Sequence, residues 1–488
     1  MLSLGHVRNA NVARNMTLPS APSSGSYDLV ILGAGVSGLA AAWKAAQRGL
    51  SVAVVERDDD VGGAAASFDV AGVRVDQGSH RIHPAMPERI LADVQQLLGD
   101  DLQLRPRNGR LRIAGTWVGF PLHASELARA LPAHLLAAAA RDAALAPTRR
   151  SHHTSYADAL RAGLGPALYD ALWAPYAMKL WGLSGDQLSV EQARVRVSAD
   201  TPWKVAARLI RGRRTGAGQG RTFYYPRRGF GQLPTALADA ATAAGVEILL
   251  RQEVERVDLH GDAVTVQMTT GESIDAWHTF STLPLPLLAR ITRPAPSLAE
   301  IEAAHRLRYR AVVLVYLVHE GGRWSPFDAH YLPGAETPVT RISEPANYRD
   351  SADDPTDRSV ICAEIACWRG DRIWNASDYA LADLVEETLR TAALPAIRRS
   401  DVTVRRMPNV YPVYQLGYEN YLTGLDSWAT SLPRLTTFGR LGLFAHDNTH
   451  HAMDMAYEAV DALRPDHGFD MLAWAAARQR FADHVVED

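Results

Sequence analysis

A glycine-rich turn between two apolar segments constrains this chain more than any other feature of its sequence. Residues 27–32 read Tyr-Asp-Leu-Val-Ile-Leu and residues 33–38 read Gly-Ala-Gly-Val-Ser-Gly, and an alanine-rich run then leads to a second apolar segment at 51–55. A strand, a glycine turn, a helix and a strand in this order predict a Rossmann-like α/β unit that binds a dinucleotide. The helix N-terminus would present free N–H groups to the pyrophosphate.

Each glycine of this turn has its own predicted role. Gly33 permits the tight turn, Gly35 lets the backbone approach the pyrophosphate, and Gly38 lets the helix pack close to the strand. Glu56 ends the second strand, where a carboxylate accepts hydrogen bonds from a ribose diol and repels a 2′-phosphate. A further glycine pair follows at residues 62–63. Since nicotinamide-binding domains have no general need for it, FAD is favoured over NAD.

Several segments resemble one flavoprotein superfamily, that of amine oxidases, protoporphyrinogen oxidases and UDP-galactopyranose mutases, with the mutase-like branch especially close. The resemblance is carried by residues 27–85, by Tyr-Ala-Met-Lys-Leu-Trp-Gly at 176–182, by the Tyr-Pro segment at 225–226, and by residues 439–453. It implies an α/β fold with a discontinuous Rossmann-like FAD domain (27–85, 223–290 and 425–465). A helical insertion (86–222) and an antiparallel β-sheet substrate domain (291–424) complete it, with a disordered leader (1–26) and a C-terminal helix (466–488).

The glycine turn and the resemblance together predict the cofactor contacts. They fall at Gly33, Ala34, Gly35, Val36, Ser37, Gly38, Glu56, Arg57, Gly62, Gly63, Gly78, Ser79, His80, Val254, Gly439, Arg440, Gly442, Asn448, His451, Ala452 and Met453. Three positions depart from the superfamily pattern: Ala64 stands where an Arg or Lys is usual, Ser79 replaces a glycine, and His450 replaces an Asp.

Lys179, His80 and His83 are the predicted catalytic residues. Lysine is scarce in a chain that otherwise uses arginine, so Lys179 invites a role that a guanidinium cannot fill, such as holding a water or working at a lowered pKa. The two histidines lie three residues apart in a segment that the resemblance places beside the flavin ring. The alternative is that they are hydrogen-bonded loop residues without a chemical role.

The predicted substrate contacts are Arg196, Arg341, Tyr411 and Tyr414. The tyrosines could instead pack at a seam between domains. Arginines are also dense in residues 208–228, which predicts either a solvated basic loop or a lid over an anionic substrate. Within the helical insertion we expect a hairpin at 102–121 and helices at 124–145 and 156–173.

Composition narrows the functional classes. The chain has 47% hydrophobic residues, 22% charged residues and a net charge of -3, so there is little electrostatic drive toward nucleic acid. We expect no membrane span, no signal peptide and two buried free thiols, Cys362 and Cys367, in a reducing cytoplasm. No metal is expected, because His446, His450, His451 and Asp454 are assigned to cofactor contact or helix capping.

The predicted function is an FAD-dependent oxidoreductase that takes a hydride from an amine, alcohol or C–C bond of a small molecule to flavin N5. The substrate would be anionic or glycosylated. Oxygen is the expected electron acceptor, since the sequence has no second nucleotide fingerprint. The alternative is a UDP-galactopyranose mutase-like isomerase without net redox change, and a flavin-binding protein without catalysis is the third reading.

Overall fold

The computed structural model describes residues 26–84, 86–120, 129–146, 153–196 and 222–486. The predicted leader therefore lies outside the described residues except for Ser26, which starts the first strand. Most of the arginine-dense segment also lies outside them.

The strands are β1 (Ser26–Leu32), β2 (Val52–Val55), β3 (Ser67–Val70), β4 (Val73–Asp76), β5 (Leu102–Pro106), β6 (Gly109–Ile113), β7 (Thr116–Phe120), β8 (Thr222–Pro226), β9 (Glu247–Leu249), β10 (Val254–Leu259), β11 (Val264–Met268), β12 (Ser273–Ser281), β13 (Thr292–Arg293), β14 (Tyr309–Glu320), β15 (Ala329–Tyr331), β16 (Arg341–Ser343), β17 (Arg358–Cys367), β18 (Arg399–Pro412) and β19 (Leu435–Thr437).

The main helices are α1 (Val36–Gln47), α2 (Glu88–Leu98), α3 (Ala133–Ala144), α4 (Tyr156–Leu164), α5 (Ala174–Trp181), α6 (Val190–Arg196), α7 (Gln232–Ala243), α8 (Leu285–Ile291), α9 (Leu298–Arg306), α10 (Asp378–Thr391), α11 (Tyr418–Ser431), α12 (Gly439–Gly442), α13 (Thr449–Asp461) and α14 (Met471–Phe481). No helix among the described residues is both long enough and apolar enough to cross a membrane.

The first sheet has the order β13-β10-β11-β12-β1-β2-β9, and β19 also pairs with β12. Strands β12, β1, β2 and β9 run parallel, with Leu32 opposite both Ser281 and Val55. The last four residues of β1 are buried, as expected for a parallel strand covered on both faces. Helices α1, α7 and α13 pack together on one face. Because this sheet draws strands from distant parts of the chain, the predicted α/β fold with a discontinuous Rossmann-like domain is confirmed.

The second sheet has the order β18-β14-β17-β16-β15-β6-β7. Its long central strands are antiparallel, and β14 is buried along most of its length. Helix α10 covers one face. The hairpin of β3 and β4, which belongs to the dinucleotide half, packs on the other. This sheet is therefore in direct contact with the hairpin from which residues 78–83 continue.

The helical insertion differs from the sequence-based expectation in three places. β5 pairs with β8 instead of β6, so only β6 and β7 form a hairpin. The backbone N–H of Asn108 donates to Asp328 at 3.0 Å, which draws β6 into the second sheet. The predicted helix at 124–145 is interrupted at residues 131–132, and Pro132 is the N-cap of α3; residues 121–128 are not among the described residues. The run at 156–173 breaks at Gly165, whose φ is +91°.

Candidate functional site

The glycines of the first turn are required for different physical reasons. Gly33 has a φ of +102°, and a Cβ there would lie 2.5 Å from Thr282 Oγ1. A Cβ on Gly38 would lie only 2.0 Å from the Gly33 carbonyl oxygen. A Cβ on Gly35 would meet no described atom within 4 Å, and its φ of -74° suits any residue. The fold itself therefore explains Gly33 and Gly38, while Gly35 borders open space that a phosphate group can occupy.

Helix α1 begins at this open space without a capping side chain. Gly35 is the N-cap, no described side chain caps the helix, and its first turn contains no acidic residue. The first N–H groups of a helix have no partner within the helix, and together with the helix dipole they favour an anion. Val36 and Ser37 lie in this first turn, and both are buried.

Glu56 is buried and directed back at the glycine turn. Its Oε2 accepts a hydrogen bond from the Ala34 N–H at 2.8 Å, and its Oε1 accepts one from the Asp58 N–H at 3.0 Å. Each carboxylate oxygen can accept a second bond, so a ribose diol can still be bound. The Glu56 carbonyl accepts from Gln252, which places Val254 at the start of β10 close by. Arg57 is exposed.

The second glycine pair touches the first turn. Gly62 donates its N–H to the Ala34 carbonyl at 2.8 Å and forms an isolated bridge with Gly35. Both Gly62 and Gly63 have positive φ, +110° and +52°. A Cβ on Gly62 would lie 3.1 Å from Pro234. The two glycine turns therefore form one continuous wall of the site.

The closing segment of the chain completes this wall. A Cβ on Gly439 would lie 2.9 Å from Ser37 Oγ, and one on Gly442 would lie 2.6 Å from Thr437 Oγ1. Helix α13 starts with a capping box between Asn448 and His451, in which the Asn448 N–H donates to His451 Nδ1 at 3.2 Å. The neighbouring Ala452 continues this first turn. The side chain of Met453 instead packs in the core beside α1.

A group of histidines surrounds the start of α13. The rings of His451 and His484 stack with centroids 4.0 Å apart and planes 12° apart, and His484 Nδ1 lies 2.9 Å from Asp447 Oδ1. Two nearly parallel rings at this separation cannot both direct an in-plane lone pair at one ion, so we interpret the contacts as hydrogen bonds. Burial, followed by neighbouring histidines, lowers the pKa of His450 to about 4 and that of His451 to about 2.

The loop of residues 78–83 follows β4 and is bound to the second sheet. Gly78 has a φ of +92°, and the Ser79 N–H donates to Glu364 Oε1 at 2.9 Å. His80 packs against Phe230 and lies 3.0 Å from the Gln77 carbonyl oxygen, and burial lowers its pKa. His83, at the other end, is close enough to help lower the pKa of His450.

Arg196, a predicted substrate contact, and Arg440, a predicted cofactor contact, both lie over the ring of Tyr411. The guanidinium carbons of Arg196 and Arg440 lie 5.6 and 5.3 Å from the centroid of the Tyr411 ring. Among the described residues, Arg440 Nε and one terminal nitrogen are buried without a hydrogen-bond partner. Burial, then Arg196 and Arg440, lowers the pKa of the adjacent His446. The two guanidinium groups therefore form a positively charged cluster suited to an anion.

Three other predicted site residues, Arg341, Tyr414 and Lys179, already have partners within the protein. Arg341 lies 2.8 Å from Glu364. Tyr414 stacks on Tyr418 with centroids 4.3 Å apart and donates to the Phe444 carbonyl oxygen. Lys179 Nζ donates to the carbonyl oxygens of Leu332 at 2.6 Å and Val339 at 3.1 Å. Burial lowers the pKa of Lys179 to about 8.

Sequence reasoning missed Glu364. It is the charged residue within the otherwise apolar run 360–367, and that contrast was an available signal because a buried carboxylate requires a partner. It also missed Thr282, whose hydroxyl donates to the Leu32 carbonyl at 2.8 Å beside Gly33.

These features fit FAD. Gly35 leaves open space at an uncapped helix start, a buried carboxylate lies at the ribose position, and three chain segments meet around that space. Gly33 to Gly38, Glu56, Gly62, Gly63, Gly439 and Asn448 are the residues that would hold the cofactor.

Comparisons with known proteins agree with this geometry. Over 296 residues the chain is 28% identical to the phytoene dehydrogenase of Streptomyces griseus, a match that spans 55% of this chain and 56% of that protein. It is 46% identical over 79 residues to protoporphyrinogen oxidase 2, chloroplastic/mitochondrial, of Arabidopsis thaliana, which is 16% of this chain and 14% of that protein. The chain thus spans little more than half the length of the first of these relatives.

The crystal structure of reduced UDP-galactopyranose mutase has a TM-score of 0.79 and 20% identity, covering 95% of this chain and 100% of that one. At this identity the likeness shows the fold alone. The family model for flavin containing amine oxidoreductases matches residues 36–460, most of the chain. The predicted superfamily is thereby confirmed: the chain belongs to the flavin containing amine oxidoreductases, oxidoreductase enzymes, and its cofactor is FAD.

Proposed function

We propose that the chain oxidises a small molecule that carries a carboxylate or phosphate group, with oxygen as the electron acceptor. The proposal rests on the environment of Arg440. Its guanidinium is buried, two of its nitrogens have no partner among the described residues, and it lies beside Tyr411 and Arg196. A buried polar group left without a hydrogen-bond partner costs about 1–3 kcal/mol, and more when it is charged, and a bound anion would remove that cost. A cationic amine is disfavoured beside two arginines.

Bound FAD supplies a hydride acceptor at flavin N5. The contribution of this chain is to hold the donor carbon in place and to exclude water. Arg196 and Arg440 would bind the anionic group, and Tyr411 would pack against the substrate between them. His80, whose lowered pKa keeps it neutral near pH 7, could accept a proton from the substrate. Catalytic roles for His83 and Lys179, and a cytoplasmic location, stay predictions.

The test is anaerobic reduction of the enzyme-bound flavin by matched substrates. A panel of compounds with one carbon skeleton would carry a carboxylate, a phosphate or an ammonium group. We expect bleaching of the oxidised flavin with an anionic member and recovery on admitting air. The Arg440→Met variant should bind that substrate roughly 10- to 100-fold more weakly, as expected for loss of a charged hydrogen bond. Arg358→Met serves as the control, because Arg358 is exposed and pairs with Asp357. Bleaching by the ammonium member alone would overturn the proposal.

A second candidate is an isomerase of the UDP-galactopyranose mutase kind. The convergence of Arg196 and Arg440 on Tyr411 favours it, because a sugar diphosphate needs several cations at its pyrophosphate. The two candidates differ in their use of the flavin. Turnover only after dithionite reduction, with a product isomeric to the substrate, would establish the isomerase. Bleaching of the oxidised enzyme by substrate would exclude it.

A further inference from the structure

A buried ion pair of the second sheet holds the main chain of Ser79. Arg341 on β16 and Glu364 on β17 are opposite each other in the register of these strands, and Arg341 binds both oxygens of the carboxylate, at 3.0 and 2.8 Å. Glu364 Oε1 accepts from the Ser79 N–H at 2.9 Å, and Arg341 donates to the Ser79 carbonyl oxygen at 3.4 Å. Both main-chain polar groups of one loop residue therefore bind the same ion pair.

The loop held in this way borders the cofactor site. Its N-terminal neighbour Gln77 donates to the carbonyl oxygen of Ala66 at 3.0 Å. Ala66 lies three residues after the glycine pair that touches Gly35. At the other end, His83 acts electrostatically on His450 at the start of α13. Residues 78–83 thus run from one wall of the dinucleotide site to the other, while the ion pair attaches them to the second sheet.

The Arg341–Glu364 ion pair fixes the positions of its neighbours more than it stabilises the fold. The side chains of Arg341 and Glu364 are 18% and 7% exposed, and a buried pair gives little net stability relative to apolar residues of similar size. The pair instead fixes the directions of its hydrogen bonds, because a guanidinium group bound to a carboxylate through two nitrogens has one planar arrangement. Gly78 approaches closely enough that a Cβ there would lie 3.8 Å from Glu364 Oε1. Tyr348 adds a hydrogen bond to the Ser79 hydroxyl at 3.0 Å.

We infer that Arg341 and Glu364 are positioning residues, which fix the peptide groups of Ser79 and so hold the loop of His80 against the bound FAD. Arg341 then supports the cofactor wall and does not bind substrate. The inference needs the FAD of the family and is independent of the anionic substrate proposed above.

The test compares two buried ion pairs in the purified holoenzyme. The variant Arg341→Met/Glu364→Leu replaces the pair with apolar residues, a change that leaves many proteins folded. The control is Arg349→Met/Asp354→Leu, whose parent pair is 2.5 Å apart with side chains 1% and 6% exposed and does not contact residues 78–83 in the described structure. The readouts are the unfolding midpoint, the FAD dissociation constant and the visible absorption of bound flavin. We expect an FAD dissociation constant about tenfold higher and shifted flavin bands in the first variant, with both unchanged in the control.

A milder variant keeps the inference testable if the double variant fails to fold. Arg341→Lys keeps the buried charge but loses the fork, so it should raise the dissociation constant about threefold and increase hydrogen exchange of residues 78–83. Conversely, Glu364→Gln keeps an oxygen for the Ser79 N–H and should disturb the flavin bands less than Glu364→Leu. Wild-type affinity, bands and exchange in folded Arg341→Lys would overturn the inference. Equal losses in the Arg349→Met/Asp354→Leu control would do so as well, since the pair at Ser79 would then have no special role.

Discussion

Lys179 Nζ donates a 2.6 Å hydrogen bond to the carbonyl oxygen of Leu332, and this bond joins helix α5 to the loop after β15. Burial lowers the pKa of this lysine from 10.5 to about 8. Between these two values the unfolded chain binds more protons than the folded one, so the free energy of unfolding rises with pH. Because Lys179 is partly exposed, we expect a rise of about 1–2 kcal/mol from pH 7.5 to 9.5.

The check is urea unfolding at both pH values. Lys179→Met and Lys179→Arg should lack this rise, since methionine does not titrate and arginine stays charged. A parallel pH dependence in all three proteins would contradict the lowered pKa. The predicted catalytic role is a separate question: it requires that Lys179→Met slow flavin reduction without releasing FAD. An unchanged reduction rate would leave Lys179 with the structural role alone.

Local patterns in the sequence predicted the dinucleotide unit because each requirement there is met by neighbouring residues. The close approach of Gly38 to Gly33 spans five positions in the chain, and the strand before them is a continuous apolar run. The partner of β5 could not be predicted in this way. β8 lies more than a hundred residues further along the chain. The Asn108-Gly109 dipeptide is typical of a hairpin turn, but the Asn108 N–H binds the Asp328 carboxylate.

The partners of individual charged residues in the site could not be predicted from local sequence either. The sequence does not show whether Arg341 and Arg440 are paired with acidic residues, because that depends on residues from other parts of the chain. Arg341 finds Glu364 across a strand pair, whereas Arg440 has two nitrogens without a partner among the described residues. Only the assembled structure distinguishes an arginine that supports the protein from one that can bind a ligand.

Gly35 and Gly38 make a matched pair for testing the cofactor site. Gly35→Ala places a methyl group in open space, so the apoprotein should unfold at the wild-type temperature while FAD binding is lost or weakened more than roughly tenfold by the clash. Gly38→Ala places its methyl group 2.0 Å from the Gly33 carbonyl oxygen, so the apoprotein itself should be destabilised by about 1–3 kcal/mol. Thermal unfolding without FAD and flavin fluorescence titration measure the two effects. Equal stability of the two variants would contradict the assignment.

Glu56 connects the ribose position to the glycine turn through the Ala34 N–H at 2.8 Å. Glu56→Ala should raise the FAD dissociation constant roughly 10- to 100-fold, because a charged hydrogen bond to a ribose contributes on the order of 1.5–3 kcal/mol. Glu56→Gln keeps one oxygen acceptor and should lose less. Glu302→Ala is the control, since that carboxylate is exposed, pairs with Arg306 and is not among the predicted cofactor contacts. Wild-type affinity in Glu56→Ala would show that the ribose is bound elsewhere.

His278 gives the clearest prediction of acid sensitivity. It is buried between β12 and β19, stacks on Phe469 with centroids 5.1 Å apart, and lies 3.0 Å from Thr436 Oγ1. Burial, with a smaller contribution from Arg434, lowers its pKa from 6.5 to about 3. Below pH 6.5 the unfolded state takes up a proton that the folded state excludes. The free energy of unfolding therefore falls by up to about 1.4 kcal/mol per pH unit from this one residue.

His278→Phe preserves the stacking and removes the titration. At pH 7 the variant should be about 1–2 kcal/mol less stable than the wild type, because the Thr436 hydroxyl loses its partner. On acidification from pH 6 to pH 4 it should lose stability more slowly than the wild type, so that the difference between them narrows or reverses. Urea unfolding followed by far-ultraviolet circular dichroism at both pH values measures this. Equal slopes would mean that the ring is protonated in the folded protein, since only a histidine that stays neutral on folding produces the difference.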